Sequence, residues 1–572
     1  MQPIGPLVRQ FLPPLVASLA LVGCGGSGGE DNTSPPPPPA QKYTVGGSVS
    51  GLLSGTSVVL LDNGGDALTV SSNGPFTFAT SIASGSPYAI TASTEPSGQV
   101  CQISGGSGAV GGANVTTASV SCVTAYTIGG SITALGVSGL VLANGTDTFA
   151  VPADASTFTM PRGVADGAAY DLVVQTNPAF LACTIATGAG TISGADVANA
   201  VVTCAPGTES VFYSPADPTQ DGARPTGGLI QASDGNFYGL MYQGGANQYG
   251  AVYKLTPTGN ESLLYSFKGH ATDGSYPIGR LIEASDGNFY GVTTLGGSSQ
   301  DGGVFKVTPT GSETVLYTFG KTETDAVSPA GGLIQASDGN FYGTTTNGGA
   351  YGAQGGGTAF RITPDGVFTI LHSFSPGGPD GTYPTGSLIQ ATDGNLYGMT
   401  TRGGAHDGGT VFKVTPGGTQ SVVYSFQGND GYSPVGNLVQ ASDGNFYGMT
   451  KYGGPGGNGG TVFRVTPDGT ETVLHSFSGI PDGAAPDGSL IQANDGNFYG
   501  MTFSYGQNNA GIIFRVTPDG SYAVLYSFTG GTDGGYPSDA LMQAKDGTLY
   551  GVGGTITVSN NIASGGLVFK ID

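Results

Sequence analysis

The sequence predicts an all-β protein in which a seven-bladed β-propeller follows two small immunoglobulin-like β-sandwich modules. Three observations support this prediction. A unit of about 50 residues occurs seven times after residue 206, two matching segments precede it, and both regions consist of short strands separated by Gly-rich turns. We expect five segments: a signal peptide at 1–23, a tether at 24–42, sandwich modules at 43–123 and 124–205, and the propeller at 206–572.

Composition limits the functions open to the chain. Its 572 residues include 17 Lys+Arg and 39 Asp+Glu, a formal charge of −22. Because this leaves no basic surplus to neutralise a phosphate backbone, we exclude nucleic acid as a partner. Gly and Pro are abundant, at 104 and 35 residues. Since the apolar residues recur with the same period as the glycines, we interpret the glycines as turns of a β-rich fold and not as disorder.

The amino terminus has the pattern of an export signal. Residues 11–22 form an apolar stretch that is too short to span a bilayer and has the length of a signal-peptide core. The stretch ends at Leu21-Val22-Gly23-Cys24, which resembles the bacterial lipobox. The resemblance implies that Cys24 is acylated and, with Gly at position 25, that the protein moves to the outer membrane or cell surface. Ordinary secretion with a chance cysteine is the alternative.

A tether follows the lipobox. Residues 25–42 combine flexible Gly and Ser with a run of five prolines that favours an extended chain. No later segment is long and apolar enough to form a transmembrane helix. The predicted attachment to the membrane therefore depends on the lipid of Cys24.

Two tandem modules come next, and they match at an offset of 82 or 83 residues, as in Tyr43-Thr-Val-Gly-Gly-Ser-Val and Tyr126-Thr-Ile-Gly-Gly-Ser-Ile. Their short alternating runs, broken by Asn-Gly and Gly-Gly turns, favour small immunoglobulin-like sandwiches. An exported chain with an even number of remaining cysteines is expected to form disulfides. We pair Cys101 with Cys122 and Cys183 with Cys204, each 21 residues apart. Metal binding by these cysteines is the alternative.

One repeat dominates the chain from residue 207 onward. Each unit reads as four short strands, typified by LIQA, NFYGMT, TVFRVTP and TVLHSF, with an Asp-Gly turn between the first two. Four strands at this period match the blade of a β-propeller. Adjacent Phe289 and Tyr290 should point to opposite faces, as a blade packed on both sides requires. The Asp-Gly-Asn or Asp-Gly-Thr tripeptides begin at Asp234, Asp286, Asp338, Asp393, Asp443, Asp495 and Asp546.

The ends of the repeat region predict a closed ring. Residues 207–214 match the fourth strand of a unit, yet they precede the first LIQA motif. The final unit stops after its third strand, at Asp572. We expect the early strand to complete the last blade, because such closure removes free sheet edges. An open solenoid is the alternative.

The repeat resembles the GloVer tandem repeat of bacterial exported proteins. The resemblance lies in LIQASDGNFYG, in GG-TVF(K/R)VTP and in the Y/H-S-F strand, and it covers residues 207–572. It implies an extracellular propeller attached by an anchor. It implies no catalytic residue, so we assign none, and we expect no cofactor.

Loop lengths indicate where a ligand would bind. The loops between strands two and three, and between strand four and the next unit, vary in length and share one face of an up-and-down blade. The Asp residues repeated in all seven units are expected to form turns, because a site needs asymmetry. No D-x-D-x-D-G series is present, so we expect no metal site.

The segment whose ionisable side chains best suit a functional site is one variable loop. It contains Arg402, His406 and Asp407, and Lys451 lies in the next unit. We predict these residues as a candidate acid/base or anion-binding cluster, with a solvated loop as the alternative. The other histidines are less informative: His372 and His475 take a position that is Tyr in sister units, and His270 lies in a variable loop.

These patterns favour a surface lipoprotein whose propeller binds a glycan or a protein without catalysis. The alternative is a polysaccharide lyase or hydrolase with its site on the variable-loop face, although analogy of fold alone supports it. A purely structural envelope protein is the third hypothesis. The absence of Trp weakens the case for a sugar-stacking platform, whereas 27 Tyr keep it open.

Overall fold

The computed structural model describes residues 41–571 except for 216, 218–219, 270–272, 298, 554–555, 559–560 and 564–565. The predicted signal peptide, Cys24, most of the tether and His270 lie outside the described residues. Every regular element in the described part is a β-strand, which confirms the all-β prediction. That part contains no helix with the length and apolarity to cross a membrane.

The chain forms two compact units. The first comprises the described residues up to Ser97 together with Cys101–Cys122, and the second comprises Gly98–Val100 and the chain from Val123 onward. The predicted boundary at 123/124 falls inside one long strand, Val115–Tyr126, and the boundary at 205/206 falls inside Val197–Pro206.

Two main sheets and a short two-stranded sheet build the first module around one core. In one sheet, Val45–Ser50 pairs antiparallel with Gly74–Thr77 and parallel with the last strand of the module. Alternating residues such as Val58, Leu60 and Val120 point into the core, as the period of two in the sequence requires. The remaining strands are Lys42–Tyr43, Val58–Asp62, Asp66–Val70, Ile82–Ala83, Pro87–Thr94, Gln99–Ser104 and Ser107–Ala109.

The second module repeats this topology. Ile128–Thr133 pairs parallel with Val197–Pro206 and antiparallel with Thr157–Thr159. Its core includes Leu142 and Val202. The other strands are Val141–Asn144, Asp147–Ala150, Val164–Ala165, Ala169–Thr176, Leu181–Ala186 and Ala189–Thr191.

Each module carries the predicted disulfide. Cys101 is bonded to Cys122, and Cys183 is bonded to Cys204. Cys183 and Cys204 stand directly opposite each other on antiparallel strands, so the disulfide joins neighbouring strands of one sheet. The pairing inferred from spacing is confirmed.

Seven further sheets occur in the described residues, each of four antiparallel strands whose first strand is interrupted in sheets 3 and 6. We number them 1 to 7 in the order of their Asp-Gly-Asn or Asp-Gly-Thr motifs. Sheets 1 to 3 comprise Ala223–Gln231, Phe237–Gln243, Ala251–Leu255, Glu261–Ser266; Gly274–Glu283, Phe289–Gly296, Gly303–Val307, Glu313–Thr318; and Ala326–Pro329 with Ile334–Gln335, Phe341–Gly348, Thr358–Ile362, Phe368–Ser373.

The remaining sheets follow the same plan. A short hairpin, Ile556–Val558 with Asn561–Ala563, extends from sheet 7. Sheets 4 to 7 comprise Thr382–Gln390, Leu396–Arg402, Thr410–Val414, Gln420–Ser425; Tyr432–Gln440, Phe446–Tyr452, Thr461–Val465, Glu471–Ser476; Ala484–Pro486 with Ile491–Gln492, Phe498–Ser504, Ile512–Val516, Tyr522–Ser527; and Ser538–Gln543, Leu549–Gly553, Leu567–Ile571, Glu209–Tyr213.

The sheets follow one another in a closed, propeller-like ring. The first strand of each sheet contacts the neighbouring sheet, and that of sheet 1 contacts sheet 7. Glu209–Tyr213 pairs antiparallel with Leu567–Ile571, so the strand before sheet 1 completes sheet 7 as predicted. Side chains also link adjacent sheets: the N–H of Ser285 donates to Oε1 of Gln335 at 2.8 Å, and the N–H of Lys545 donates to Oε1 of Gln231 at 2.9 Å across the closing junction.

Aromatic side chains fill the space between sheets. The Phe289 ring lies 4.2 Å from that of Tyr238 in sheet 1, whereas the adjacent Tyr290 ring lies 4.2 Å from that of Phe341 in sheet 3. The prediction that Phe289 and Tyr290 face opposite sides is therefore confirmed. Because both faces of a sheet are covered, the second strands are buried on both sides.

The first strand of each uninterrupted sheet contains a bulge. In sheet 2 the pairing with the second strand skips from Ile278 to Ile282. At the start of the corresponding bulge in sheet 1, Gly227 has a φ of 76°, and a Cβ there would lie 1.7 Å from the carbonyl oxygen of Gly279. Glycine lets the backbones of neighbouring sheets meet at this level.

Candidate functional site

The Asp-Gly-Asn motifs form turns. In sheet 2, Asp286 accepts hydrogen bonds from the N–H of Asn288 at 3.0 Å, from the Asn288 side chain at 2.8 Å and from the Tyr290 hydroxyl at 2.7 Å. Lys306 lies 3.1 Å from the same carboxylate. Although burial opposes this, the hydrogen bonds hold the pKa of Asp286 well below its usual range. The equivalent aspartates accept the same backbone hydrogen bond in the other sheets, so the predicted turns are present.

A second set of aspartates ties the fourth strand to the next repeat. The Tyr265 hydroxyl donates to Asp273 at 2.8 Å. At the equivalent position His372 lies 3.0 Å from Asp380, and His475 lies 3.0 Å from Asp482. His475 also stacks on Tyr522, with ring centroids 3.6 Å apart. Each histidine thus has its own aspartate partner at the equivalent position, and these contacts together with ring packing explain why both histidines are present.

The two sets of variable loops meet on one face of the ring, which we call the variable face. The N–H of Tyr383, near the start of the first strand of sheet 4, donates to the carbonyl of Gly356 in the loop of sheet 3 at 2.8 Å. The N–H of Tyr536 donates to the carbonyl of Ala510 at 2.7 Å in the same way. These hydrogen bonds join the loop of one sheet to the first strand of the next.

Exposed aromatic side chains concentrate on the variable face. Among the described residues, seven Tyr and Phe side chains are between 37% and 55% exposed, and all lie in these loops or at the strand ends beside them. Two pairs have ring centroids 5.4 Å apart: Tyr432 with Tyr452, and Phe503 with Tyr536. We call this set the aromatic rim: Tyr351, Tyr383, Tyr432, Tyr452, Phe503, Tyr505 and Tyr536.

The four predicted cluster residues lie on or near this face, and the hydrogen bond of Asp407 and the ion pair of Lys451 are made with residues outside the predicted cluster. Arg402 ends the second strand of sheet 4, and His406 and Asp407 follow in the exposed loop. Asp407 accepts a hydrogen bond from the N–H of Gly403 at 2.9 Å, which closes the turn of the loop. Lys451 instead pairs with Asp487 of sheet 6 at 4.0 Å.

That ion pair belongs to a cluster that the sequence analysis missed. Lys451, Asp487 and Asp539 come from sheets 5, 6 and 7, and Asp539 accepts a hydrogen bond from the N–H of Gly227 at 2.8 Å. Burial, together with the charge of Asp487, raises the pKa of Asp539 to about 6 despite that hydrogen bond. The sequence feature that could have revealed this cluster is Asp539, which stands at a position that is Gly in the six other repeats.

A cavity of about 590 Å³ lies where the first strands meet at the centre of the ring. Its walls are mostly Leu, Ile and Val, and its polar lining includes Arg280, Ser387, Asn437 and Ser489. These four residues take the same repeat position, directly before the conserved Leu of the LIQA strand. The sequence analysis missed them, although Arg at a position that is otherwise small or neutral was visible in the repeat.

The face opposite the variable face carries the second module. The N–H of Asn177 donates to the carbonyl of Asp546 at 3.1 Å, and the Ser138 hydroxyl donates to the carbonyl of Asp495 at 2.7 Å. Both acceptors belong to Asp-Gly turns, of sheets 7 and 6. The module therefore docks away from the aromatic rim.

Solved structures with some likeness to the chain include sugar-acting enzymes. A periplasmic gluconolactonase of Pseudomonas aeruginosa is 17% identical over 70% of this chain and 98% of its own, with a TM-score of 0.37. A gluconolactonase of Xanthomonas campestris is 12% identical over 64% and 89%, with a TM-score of 0.34. An α-L-arabinanase of Penicillium chrysogenum is 12% identical over 64% and 97%, with a TM-score of 0.36. Likenesses this weak carry no argument about function.

No curated protein matches the chain. A family model described as the Gloeobacter/Verrucomicrobia repeat matches residues 156–354 and 351–569. The match begins within the second module, upstream of residue 207 where the sequence motifs of the repeat start. Together the two matched segments span well over half of the sequence, and the chain therefore belongs to the Gloeobacter/Verrucomicrobia repeat family.

Proposed function

We propose that the ring is a seven-bladed β-propeller and that the two modules that precede it in the chain are immunoglobulin-like sandwiches. The four-stranded antiparallel sheets of the described residues and their closed order support the propeller. Two sheets around a single core support the sandwich assignment of each module.

We further propose that the protein is exported and anchored through a lipid on Cys24, at the outer membrane or cell surface. The disulfides in both modules support an oxidising compartment outside the cytoplasm. The second module docks on the opposite face, so this module leaves the variable face open to a ligand.

We propose that the variable face is a glycan-binding surface, and the observation that carries this proposal is the aromatic rim. Tyr and Phe present flat apolar faces on which sugar rings stack, and the Tyr hydroxyls supply hydrogen bonds. Exposed aromatics confined to one end of the ring favour a binding surface over chance exposure. The chain carries few cations, which favours neutral polysaccharides for this rim.

The proposal is tested by screening the purified full chain against neutral polysaccharides and measuring affinity for each that binds. We expect Tyr383→Ala and Tyr536→Ala to weaken binding about 3- to 10-fold each, the loss of one stacked ring. Val367→Ala, which removes an exposed apolar side chain from the opposite end of sheet 3, is the matched control and should bind normally. Rim variants that bind as the wild type does would refute the glycan surface, and failure of every polysaccharide would favour a protein ligand.

A polysaccharide-acting enzyme is the second candidate, because of the Lys451, Asp487 and Asp539 cluster. An acid with a pKa near 6 beside a carboxylate paired with lysine is an arrangement that can donate and accept protons. Asp539 is the second residue of the first strand of sheet 7, close to the variable face.

Product release from bound polysaccharides separates the two candidates. An enzyme that uses Asp539 as its acid should lose activity above about pH 6 and lose it almost entirely in Asp539→Asn. Glu323→Gln, in an exposed loop of the same face, is the matched control for a change of charge. Binding without any product would exclude catalysis on the polysaccharides tested.

A further inference from the structure

The central cavity contains a guanidinium without an acidic partner. Arg280 lines the cavity, and its Nε–H donates to the backbone carbonyl of Leu229 at 3.2 Å. Among the described residues, no carboxylate lies within ion-pair distance of Arg280. Removal from water lowers the pKa of Arg280, but an arginine in a protein stays charged. The cavity therefore holds a desolvated positive charge in a chain that is strongly negative overall.

The nearest acid on the same strand is already engaged. Glu283 also lines the cavity, and its carboxylate accepts hydrogen bonds from the N–H of Ser233 at 2.7 Å and from the Ser233 hydroxyl at 2.5 Å. Its charge is thus held against sheet 1 by two short hydrogen bonds. It does not neutralise Arg280.

The other polar groups at the level of Arg280 are left as donors. The Oδ1 atom of Asn437 accepts from the N–H of Ser387 at 2.6 Å, which leaves the Asn437 amide N–H groups for a ligand. Ser489 Oγ accepts from the N–H of Asn437 at 2.8 Å, which leaves its hydroxyl hydrogen free to donate. The two acceptor atoms, Asn437 Oδ1 and Ser489 Oγ, are therefore engaged within the ring, and the Asn437 amide and the Ser489 hydroxyl remain as donors for a ligand.

Arg280 is the one arginine at its repeat position. Gly228 and Gly332 occupy that position in the flanking sheets 1 and 3, and a Cβ on Gly332 would lie 2.5 Å from the carbonyl oxygen of Arg280, so the backbones of sheets 2 and 3 pack closely there. Arg280 also lies inside the bulge of its strand, between the paired residues Ile278 and Ile282. Bulges redirect side chains and are common beside binding sites.

We propose that the central cavity binds a carboxylate-bearing ligand of sugar-acid size, held by Arg280 with Ser387, Asn437 and Ser489. The planar guanidinium forms paired hydrogen bonds with a carboxylate, and the amide and hydroxyl donors complete its shell. The cavity volume falls in the range of about 300–1,000 Å³ that is usual for small-ligand sites. This site is separate from the aromatic rim and stands if the rim binds no glycan.

The test compares two ligands that differ in one group, galacturonate and galactose, by calorimetry on the full chain. We expect galacturonate to bind at least 10-fold more tightly. Trigalacturonate, measured alongside, distinguishes a free acid from a carboxylate within a polymer, and the tighter binder identifies the source. Equal binding of galacturonate and galactose would overturn the proposal. Failure of both galacturonate and trigalacturonate to bind would also overturn it.

Variants connect the preference to Arg280. Arg280→Ser introduces the residue that sheets 4 and 6 carry at this position, so we expect it to fold and to lose the preference for galacturonate. Arg280→Lys keeps the charge but loses the paired geometry, and it should retain part of the preference. Arg162→Ser, at an exposed arginine of the second module, is the matched control. If Arg280→Ser does not fold, the test depends on Arg280→Lys. A folded Arg280 variant whose preference for galacturonate over galactose equals that of the wild type would refute the proposal.

Discussion

The Oδ2 atom of Asp539 accepts a 2.8 Å hydrogen bond from the backbone N–H of Gly227, 312 positions away in the sequence. This contact lies at the junction where sheet 7 meets sheet 1. At the preceding junction a Cβ on Gly488 would lie 1.8 Å from the carbonyl oxygen of Asp539, so bare backbones meet there. At the same repeat position of the closing junction, a carboxylate joins the two sheets.

Two replacements of Asp539 should separate the contribution of its hydrogen bond to stability from the contribution of its backbone conformation. Asp539 has a φ of 68°, which suits glycine better than alanine. Asp539→Ala loses the hydrogen bond and keeps the strain, so we expect a loss of about 2–3 kcal/mol in the free energy of unfolding. Asp539→Gly loses the same hydrogen bond but relieves the strain, and it should be about 1 kcal/mol more stable than Asp539→Ala. Thermal unfolding followed by calorimetry gives the order, and equal losses would show that the conformation is unstrained.

Stability should fall as the pH rises from about 4.5 to 7. Burial first, and then the negative charge of a neighbouring aspartate, raise the pKa of Glu261, Glu313 and Glu471 to about 7. Because the folded state holds these protons more tightly than the unfolded chain does, their contribution is full below pH 4.5 and is lost as the pH passes through 7. We expect about 1 kcal/mol for each, since solvent screens half-exposed carboxylates.

The chain provides the control for this prediction. Sheet 4 carries Gln420 where these sheets carry glutamate, and its side chain donates to the carbonyl of Asp380 at 3.2 Å. The triple variant Glu261→Gln, Glu313→Gln, Glu471→Gln should therefore fold and show a flatter dependence of unfolding free energy on pH between 4.5 and 7. An unchanged slope would mean that these glutamates titrate normally.

Removing one turn aspartate should destabilise the ring locally. Asp286→Ala deprives the buried Tyr290 of its hydroxyl acceptor and the turn of its bonds to Asn288, which should cost about 2–3 kcal/mol. Asn288→Thr is the matched variant, because Thr548 takes that position in sheet 7 and donates its N–H to Asp546 at 3.1 Å. We expect a much smaller loss for Asn288→Thr in chemical denaturation. Equal losses would assign the stability to the asparagine and not to the aspartate.

The disulfide of the second module should stabilise that module by about 3 kcal/mol through its effect on the unfolded chain. The double variant Cys183→Ala, Cys204→Ala should lower the melting temperature and remove the sensitivity to reductant that this disulfide confers. Calorimetry with and without reductant tests both effects. A variant that melts as the oxidised wild type does would show that strand pairing alone holds Leu181–Ala186 in place.

Much of the fold follows from local sequence. The alternation of Phe289 and Tyr290, the Asp-Gly turns, the disulfide pairs and the strand that completes sheet 7 are all visible in one repeat or in the comparison of two. A period of two fixes which face a side chain occupies, and a tight turn fixes its neighbour in the sheet. Both depend on residues close together in the chain.

The candidate sites were decided by the tertiary structure. Arg402, His406 and Asp407 were grouped because they are adjacent in sequence, whereas Lys451 pairs with Asp487 of the next sheet and Asp539 reaches Gly227 across the closure. Arg280, Asn437 and Ser489 line one cavity because sheets 2, 5 and 6 face a common centre. The sequence determined the repeat and its strands, since these depend on neighbouring residues. Only ring closure brings single departures from the repeat together, because residues from separate sheets share a cavity once the ring is formed.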